Sequence, residues 1–371
     1  MSETTTTTTE QDRRVIDGTS WREFCERLAA AGDAIFSSDT PADPLSRAEG
    51  TRYLTRLVRA ALETFVEFSD PMAPVLRRAV HETVKMGADN PDNWYENAPL
   101  HGDYEYRLHG SRGTVAYLSI ATQVGHYGQG AGMPPAGFLE AKDLEIRPDG
   151  TFELFLSARR KPGNWLPIGE GYGTLIIRQT FLDRARETRA ELTLERIGGP
   201  AAPAPLTTAS IDAGLASAAS LVGACAMIFP GWARGFEQHS NRLPRFDPDL
   251  SRMFGGDPNI AYYHSHWVLA DDEALVIEAT PPDCEYWNFQ LNNWWMESLD
   301  YRYHRITINK ASARLRPDGS LRIVVAHRDP GVDNWLDTAG HAFGTMCFRW
   351  VRAATAPEPS TRVVKLRDLE R

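Results

Sequence analysis

The segment from Glu285 to Tyr301 concentrates groups that recognise rings and hold polar ligands. On a strand, side chains alternate, so Trp287, Phe289 and Leu291 take one face while Tyr286, Asn288, Gln290 and Asn292 take the other. The first is a core face. The second, with Trp294 just beyond it, has the composition of a pocket that stacks a ring and fixes it through amide hydrogen bonds; tryptophans this dense also fill a large sandwich core. For proton transfer the leading candidates are His327, beside Arg328 at a strand end, and Glu297, followed by Glu278, His304, His264 and His101. An imidazole next to a guanidinium and an aromatic wall can exchange a proton near neutrality. Asn334 and Trp335 complete the substrate-binding set, the asparagine serving either a loop backbone or a ligand. Arg349 lies within a strand, where an arginine either bridges a sheet face or clamps an anion.

Other chemistries have weaker support. His264 and His266 share a strand face and could present two imidazoles to one ion, with Asp271 following as in the cupins, but Arg322 stands where the last histidine of that pattern would fall. No metal or cofactor is therefore expected. Cys284 has no positioned base, and the four cysteines, Cys25, Cys225, Cys284 and Cys347, show no paired spacing, so reduced thiols are expected. The glycine-dense run from Gly125 to Gly137 contains paired prolines that forbid the helix a pyrophosphate needs, so it reads as a long loop, a candidate lid.

These groups need a scaffold, and the hydrophobic pattern supplies one. Ser20 caps a short helix carrying Trp21, Phe24 and Leu28. A longer amphipathic helix runs from about Arg47 to Phe68 before Pro71, and a third from Thr208 to Ile228, closed by Pro230. After the second helix, and again after the third, come short alternating runs separated by Gly and Pro, the pattern of strands; Tyr303 to Ile308 is one of those in the second set. Met1 to residue 18 reads as a disordered tail, 198–206 as a Pro-rich linker, and 356–371 as a C-terminal tail. The units between are 19–197 and 207–355.

The two units repeat one another. Arg147-Pro148-Asp149-Gly150 matches Arg316-Pro317-Asp318-Gly319, and at an almost constant offset Asn164-Trp165-Leu166 meets Asn334-Trp335-Leu336, Arg178 meets Arg349 and Tyr117 meets Tyr286. Gly87-Ala88-Asp89 falls on Gly255-Gly256-Asp257. A repeat of this length is a duplicated domain. The expected fold is α+β and mainly β: two tandem antiparallel jelly-roll-like sandwiches, each preceded by an amphipathic helix.

Met86 to Arg107, reading Met-Gly-Ala-Asp-Asn-Pro-Asp-Asn-Trp-Tyr-Glu-Asn-Ala-Pro-Leu-His-Gly-Asp-Tyr-Glu-Tyr-Arg, resembles the opening signature of a bacterial family known as domain of unknown function 1214. Leu315 to Leu336 is similar to that family's C-terminal signature. The resemblance runs from about Arg47 to Val351 and implies a jelly-roll-like β architecture, with no catalytic residues to carry over. Trp94 departs from the pattern, which would alter one pocket wall.

At 371 residues with a formal charge of -9, the chain has room for two domains and no basic surplus for nucleic acid. No run approaches the roughly 18 apolar residues of a membrane span, and the polar start lacks a signal core, so a cytoplasmic protein is expected. The expected partner is a small molecule, with the chain a monomer or homodimer. Three functions fit: a metal-independent acid/base enzyme (lyase, isomerase or hydrolase) on a small ring-containing or hydrophobic anion, favoured for the loop that resembles a lid; a non-catalytic small-molecule or carbohydrate binder; and a cupin-like metalloenzyme. The first predicts His327, Arg328, Glu297 and Arg349 converging in the second sandwich.

Overall fold

The computed structural model describes residues 8–130, 132–199 and 202–369. Residues 1–7 of the expected tail, 200–201 of the linker and the last two residues lie outside the described residues.

The first half packs two four-stranded sheets face to face. One runs in the order β1 (Asn93–His101), β7 (Tyr172–Thr180), β3 (Tyr117–Val124), β4 (Pro135–Glu140). The other runs β6 (Trp165–Pro167), β5 (Thr151–Ser157), β2 (Tyr106–Ser111), β8 (Glu191–Arg196). Inward positions such as Leu118, Ile120, Leu154 and Ile177 fill the space between them, as alternation on paired sheets requires.

The second half repeats this plan strand for strand. Its sheets run β12 (Thr307–Asn309), β11 (Tyr286–Asn292), β15 (Phe343–Val351), β9 (Ile260–Val268), and β14 (Trp335–Asp337), β13 (Leu321–Ala326), β10 (Glu273–Ala279), β16 (Ser360–Lys365). Each strand takes the place of the one eight earlier, and the parallel pair β5 with β6 recurs as β13 with β14. Trp287, Phe289, Phe348 and Trp350 form its core. The core face expected for Trp287, Phe289 and Leu291 is present.

The helices gather into one bundle although each precedes its sandwich in the chain. α2 (Thr19–Ile35), α3 (Pro44–Leu62) and α4 (Thr208–Phe236) share a core that takes in Trp294, Trp295 and Met296 from the second half. Asp43 caps α3 by accepting from the Ser46 N–H at 3.0 Å, with Pro44 in the first turn. Gly50 is required there, because a Cβ would lie 2.6 Å from the Trp295 ring.

Several expectations are corrected. Residues of the expected N-terminal tail form α1 (Glu10–Ile16), closed by a Thr9–Asp12 capping box and tied by Arg14 to Asp212 of α4. The expected C-terminal tail contains β16, which pairs with β10. Pro230 does not end α4: a proline removes only one N–H, and burial of Phe229, Ala233 and Phe236 holds the following turn in place. That helix is also apolar enough by length and composition to cross a bilayer, and 56% of the apolar window is buried in this fold. Of Tyr303 to Ile308 only the end is strand, because Asp300 accepts from Tyr303 and His304 in a turn.

Candidate functional site

The junction between the halves is built by residues at matching positions. Arg178 on β7 stands opposite Tyr95 of β1 and Ser119 of β3; Arg349 on β15 stands opposite Tyr262 of β9 and Asn288 of β11. Each arginine reaches into the other half, Arg178 Nη2 donating to the Gly255 carbonyl and Arg349 Nη2 to the Ala88 carbonyl. Gly255 has φ +80°, which turns its carbonyl to the seam at no side-chain cost. The phenols exchange in the same way: Tyr117 donates to Asp257 at 3.1 Å and Tyr286 to Asp92 at 2.7 Å. The Asn90 N–H donates to the Tyr95 oxygen at 2.9 Å, and the Asp257 N–H to the Tyr262 oxygen at 3.3 Å. These bonds pair Ala88 with Gly255 and Asn90 with Asp257, one residue away from the Gly87-Ala88-Asp89 alignment expected from sequence.

A cavity of about 220 Å³ lies at this junction. The arginines and Tyr95 and Tyr262 are among its lining residues. Phe229 and Trp232 of α4, with Phe246 and Phe254, make an aromatic wall in which Trp232 lies edge-on to Phe229 at 5.7 Å and to Phe254 at 5.1 Å. Arg77, Asn93, Asn97 and Thr174 make a polar wall elsewhere in the lining. The glycine-dense loop contributes His126 and Tyr127, the Tyr127 hydroxyl donating to the Phe254 carbonyl at 2.7 Å.

The electrostatics around the two arginines are incompletely balanced. Among the described residues neither Arg178 nor Arg349 forms an ion pair with a carboxylate. Arg349, 4% exposed, is held by neutral oxygens, those of Gln290 at 2.6 Å and Asn288 at 3.3 Å. Burial raises the carboxyl pKa values of Asp257 and Asp89, outweighing the pull of Arg178 on the first and of Lys85, the Ser298 hydrogen bonds and, least, Arg349 on the second. Arg178 Nη1, Arg77 Nη1, Asn93 Oδ1 and His264 Nδ1, all on lining residues, are buried without a hydrogen-bond partner. Burial raises the Tyr95 phenol and pushes Tyr262 up to about 12 against the pull of both arginines, so both stay protonated. Each phenol oxygen accepts a backbone N–H, while its own hydrogen has no acceptor among the described residues.

Of the residues singled out from sequence, Arg349, its repeat partner Arg178 and His264 line this chamber. His327 bonds Thr338 at 2.9 Å and the Leu269 carbonyl at 3.2 Å, using both nitrogens, and Arg328 is exposed. Glu297 pairs with Arg56 of α3 at 2.6 Å. The expected convergence of these residues with Arg349 is not formed. Tyr286, Asn288, Gln290 and Asn292 face the other half instead of an open groove: Asn288 Nδ2 donates to Asn90 at 3.1 Å and Gln290 Nε2 to the Asp89 carbonyl at 2.8 Å. Asn292 accepts from Gln290 at 2.6 Å. Trp294 donates to Glu237 at 2.8 Å inside the bundle, and Trp335 to the Ala326 carbonyl at 3.0 Å. Asn334 stitches a turn. Trp94 packs between Arg78 and Arg189, away from the chamber.

His264 and His266 do share a face of β9, and both are buried at 7% exposure. His264 stacks on Phe236 and Tyr262, and burial drops its pKa to about 3. His266 bonds Ser240. No cluster of three His, Cys, Asp or Glu placed to hold an ion occurs among the described residues. Sequence reasoning missed Tyr95, His126, Tyr127, Trp232 and Tyr262. Only Tyr95 and Tyr262 left a trace, as a further match in the duplication once the one-residue shift is applied.

Comparison with known proteins bears on the family and the fold. Residues 271–354 match the family described as protein of unknown function (DUF1214). The crystal structure of an uncharacterised protein from Burkholderia cenocepacia superposes with a TM-score of 0.94 at 52% identity, covering 96% of this chain and 99% of that one. The VPA0106 protein from Vibrio parahaemolyticus shares the fold alone, with a TM-score of 0.50 at 12% identity over 91% of this chain and all (100%) of its own. No curated protein matches. With residues 271–354 matching the family model, and one solved structure alike over nearly its whole length, the chain belongs to the DUF1214 family.

Proposed function

We propose that the chamber between the two halves binds a small organic anion, its charged group at Arg178 and Arg349 and its apolar body against Trp232 and the neighbouring phenylalanines. One observation carries this reading: the buried guanidinium of Arg349 and that of half-buried Arg178, whose Nη1 is sealed from solvent, come one from each half to a single cavity, and among the described residues neither is paired with a carboxylate. Burying a guanidinium costs on the order of several kcal/mol unless a counter-charge and full hydrogen bonding offset it. Arg178 keeps an unsatisfied Nη1, and the free phenolic hydrogens of Tyr95 and Tyr262 add donors suited to a carboxylate. An anion would satisfy all of these groups at once, and the aromatic wall sets the rest of the molecule as an apolar ring or chain.

Thermal unfolding with benzoate, cyclohexanecarboxylate and neutral benzamide tests the reading. The carboxylates should raise Tm and benzamide should not, and Arg178→Met should abolish the rise. Equal shifts with benzoate and benzamide, or a benzoate shift that survives Arg178→Met, would defeat it.

A further inference from the structure

The strand register of the two halves shows where the duplication is kept along the chamber and where it is broken. Tyr95 opposite Arg178 in the first half matches Tyr262 opposite Arg349 in the second. Two residues further along each strand, on the same face, β1 presents Asn97 opposite Ile176 and β9 presents His264 opposite Cys347. The surroundings then differ. His264 lies edge-on to Phe246 at 5.1 Å and stacked on Phe236 at 5.6 Å. Asn97 instead pairs with Arg77 through two backbone hydrogen bonds of 2.9 and 3.0 Å, which sets the two side chains next to one another on one face. Asn97, Arg77 and Thr174, two residues before Ile176 on β7, all line the chamber. The second half thus contributes rings where the first contributes polar groups.

Arg77 is short of partners. Its Nη2 donates to the Thr64 hydroxyl, which also lines the chamber, but Nη1 is sealed from solvent without a hydrogen-bond partner, on a side chain 11% exposed. Glu63 comes no closer to Nη1 than 3.8 Å and is itself bonded by Arg59 at 3.3 Å. Burial outweighs the pull of Glu63 and lowers the Arg77 pKa. Beside it, Asn97 Nδ2 gives one hydrogen to the Leu175 carbonyl at 3.2 Å and keeps a second. Arg77 and Arg178 lie within the span of one small molecule. Arg77 pairs with Asn97, Asn97 with Ile176, and Arg178 follows two residues along β7, which puts the two backbones about 12 Å apart along a single cavity. A cavity of about 150 Å³ admits benzene, so this one, at about 220 Å³, takes a ring with a short acidic arm.

Resting on the anion-binding reading, we infer that the ligand is a dicarboxylate that bears a ring. One carboxylate sits at Arg178 and Arg349, the ring at the aromatic wall, and the second carboxylate at Arg77 Nη1 with the Asn97 amide beside it. The matched arginines take the first acid, and the unmatched walls sort the two remaining groups by polarity. A ring-bearing monocarboxylate would leave Arg77 Nη1 unpaired, and a diacid without a ring would leave the aromatic wall empty.

Isothermal titration calorimetry on the full chain tests this with phenylsuccinate, 3-phenylglutarate and 3-phenyladipate, each against its monomethyl esters, which keep one charge and nearly the same shape. The diacid whose length fits the gap should bind at least roughly tenfold tighter than its esters, the yield of a charge-assisted hydrogen bond. Plain glutarate, which lacks the ring, should bind at least roughly tenfold more weakly than 3-phenylglutarate. Arg77→Met should bring the diacid-to-ester ratio near one. Asn97→Asp places a carboxylate beside Arg77 and should do the same, a second measurement should Arg77→Met fold poorly. If all three diacids bind no tighter than their esters, or if benzoate binds and none of them does, the second carboxylate is overturned and the anion-binding reading stands. A ratio that survives both substitutions overturns Arg77 as its site, and glutarate as tight as 3-phenylglutarate overturns the ring. Absence of binding by every diacid, every ester and benzoate overturns both readings.

Discussion

Asn164 and Asn334 make the same three hydrogen bonds in the two halves. Asn164 Nδ2 donates to the carbonyls of Glu145 and Glu153, and its Oδ1 accepts from the Glu145 N–H; Asn334 does the same with the carbonyls of Arg314 and Arg322 and the Arg314 N–H. Both tie the parallel edge strand to the Pro-Asp-Gly hairpin. The repeat of Asn-Trp-Leu therefore preserves a turn and not a ligand contact.

Replacing Asn334 by alanine removes all three bonds and leaves backbone groups unpaired, which costs about 1–3 kcal/mol. The residue also sits at φ +57°, where alanine is strained. We expect a lower urea midpoint for Asn334→Ala and an unchanged Tm rise with benzoate. A lost benzoate response with an unchanged midpoint would return Asn334 to the ligand.

Glu297 is 1% exposed at its side chain and pairs with Arg56, 13% exposed, linking α3 to the second sandwich. Burial raises its pKa and Arg56 pulls it back down. Breaking a buried pair by neutralising one partner costs about 3–5 kcal/mol. Glu297→Gln should therefore lose stability of that order in denaturant titration while its folded fraction still responds to benzoate. Wild-type stability together with a lost benzoate response would place Glu297 at the ligand instead.

The duplication was legible because turns constrain residue type: Pro-Asp-Gly and Asn-Trp-Leu recur where the backbone needs them, and the strand order of the two halves follows. The chamber was harder to read because its walls come from many separate elements. Tyr95, His126, Arg178, Trp232 and Arg349 lie on β1, the glycine-dense loop, β7, α4 and β15, and no short window contains two of them. The strand from Tyr286 to Asn292 drew attention by its density of amides, yet those amides are spent on Asn90, Asp89 and Arg349. What they do for the site is hold one of its arginines. Pro230 misled for a related reason, since the bundle that keeps α4 helical past it is assembled from both ends of the chain.

His264 makes stability depend on pH in a defined direction. Its pKa is depressed from 6.5 to about 3 in the folded protein, so below pH 6.5 the unfolded chain binds a proton that the folded chain refuses. Stability from this residue is complete above pH 6.5 and falls toward pH 3 by about 1.4 kcal/mol per unit. The difference in unfolding free energy between wild type and His264→Phe should change by that slope from pH 6.5 downward. A flat difference would mean that the imidazole protonates within the fold.

Trp232 should set the size of ligand that fits. Its ring packs against Phe229, Phe246 and Phe254 at 5.1 to 5.7 Å, so Trp232→Ala leaves room beside the aromatic wall without touching the arginines. In the wild type, benzoate should raise Tm more than 2-naphthoate; in Trp232→Ala the order should reverse, because the larger ring restores lost contact area worth about 25 cal/mol per Å². The need for charge should persist, with neutral 2-naphthamide giving no rise in either protein. If 2-naphthoate stabilises both proteins equally, the ring binds elsewhere and Trp232 is only a packing residue of α4.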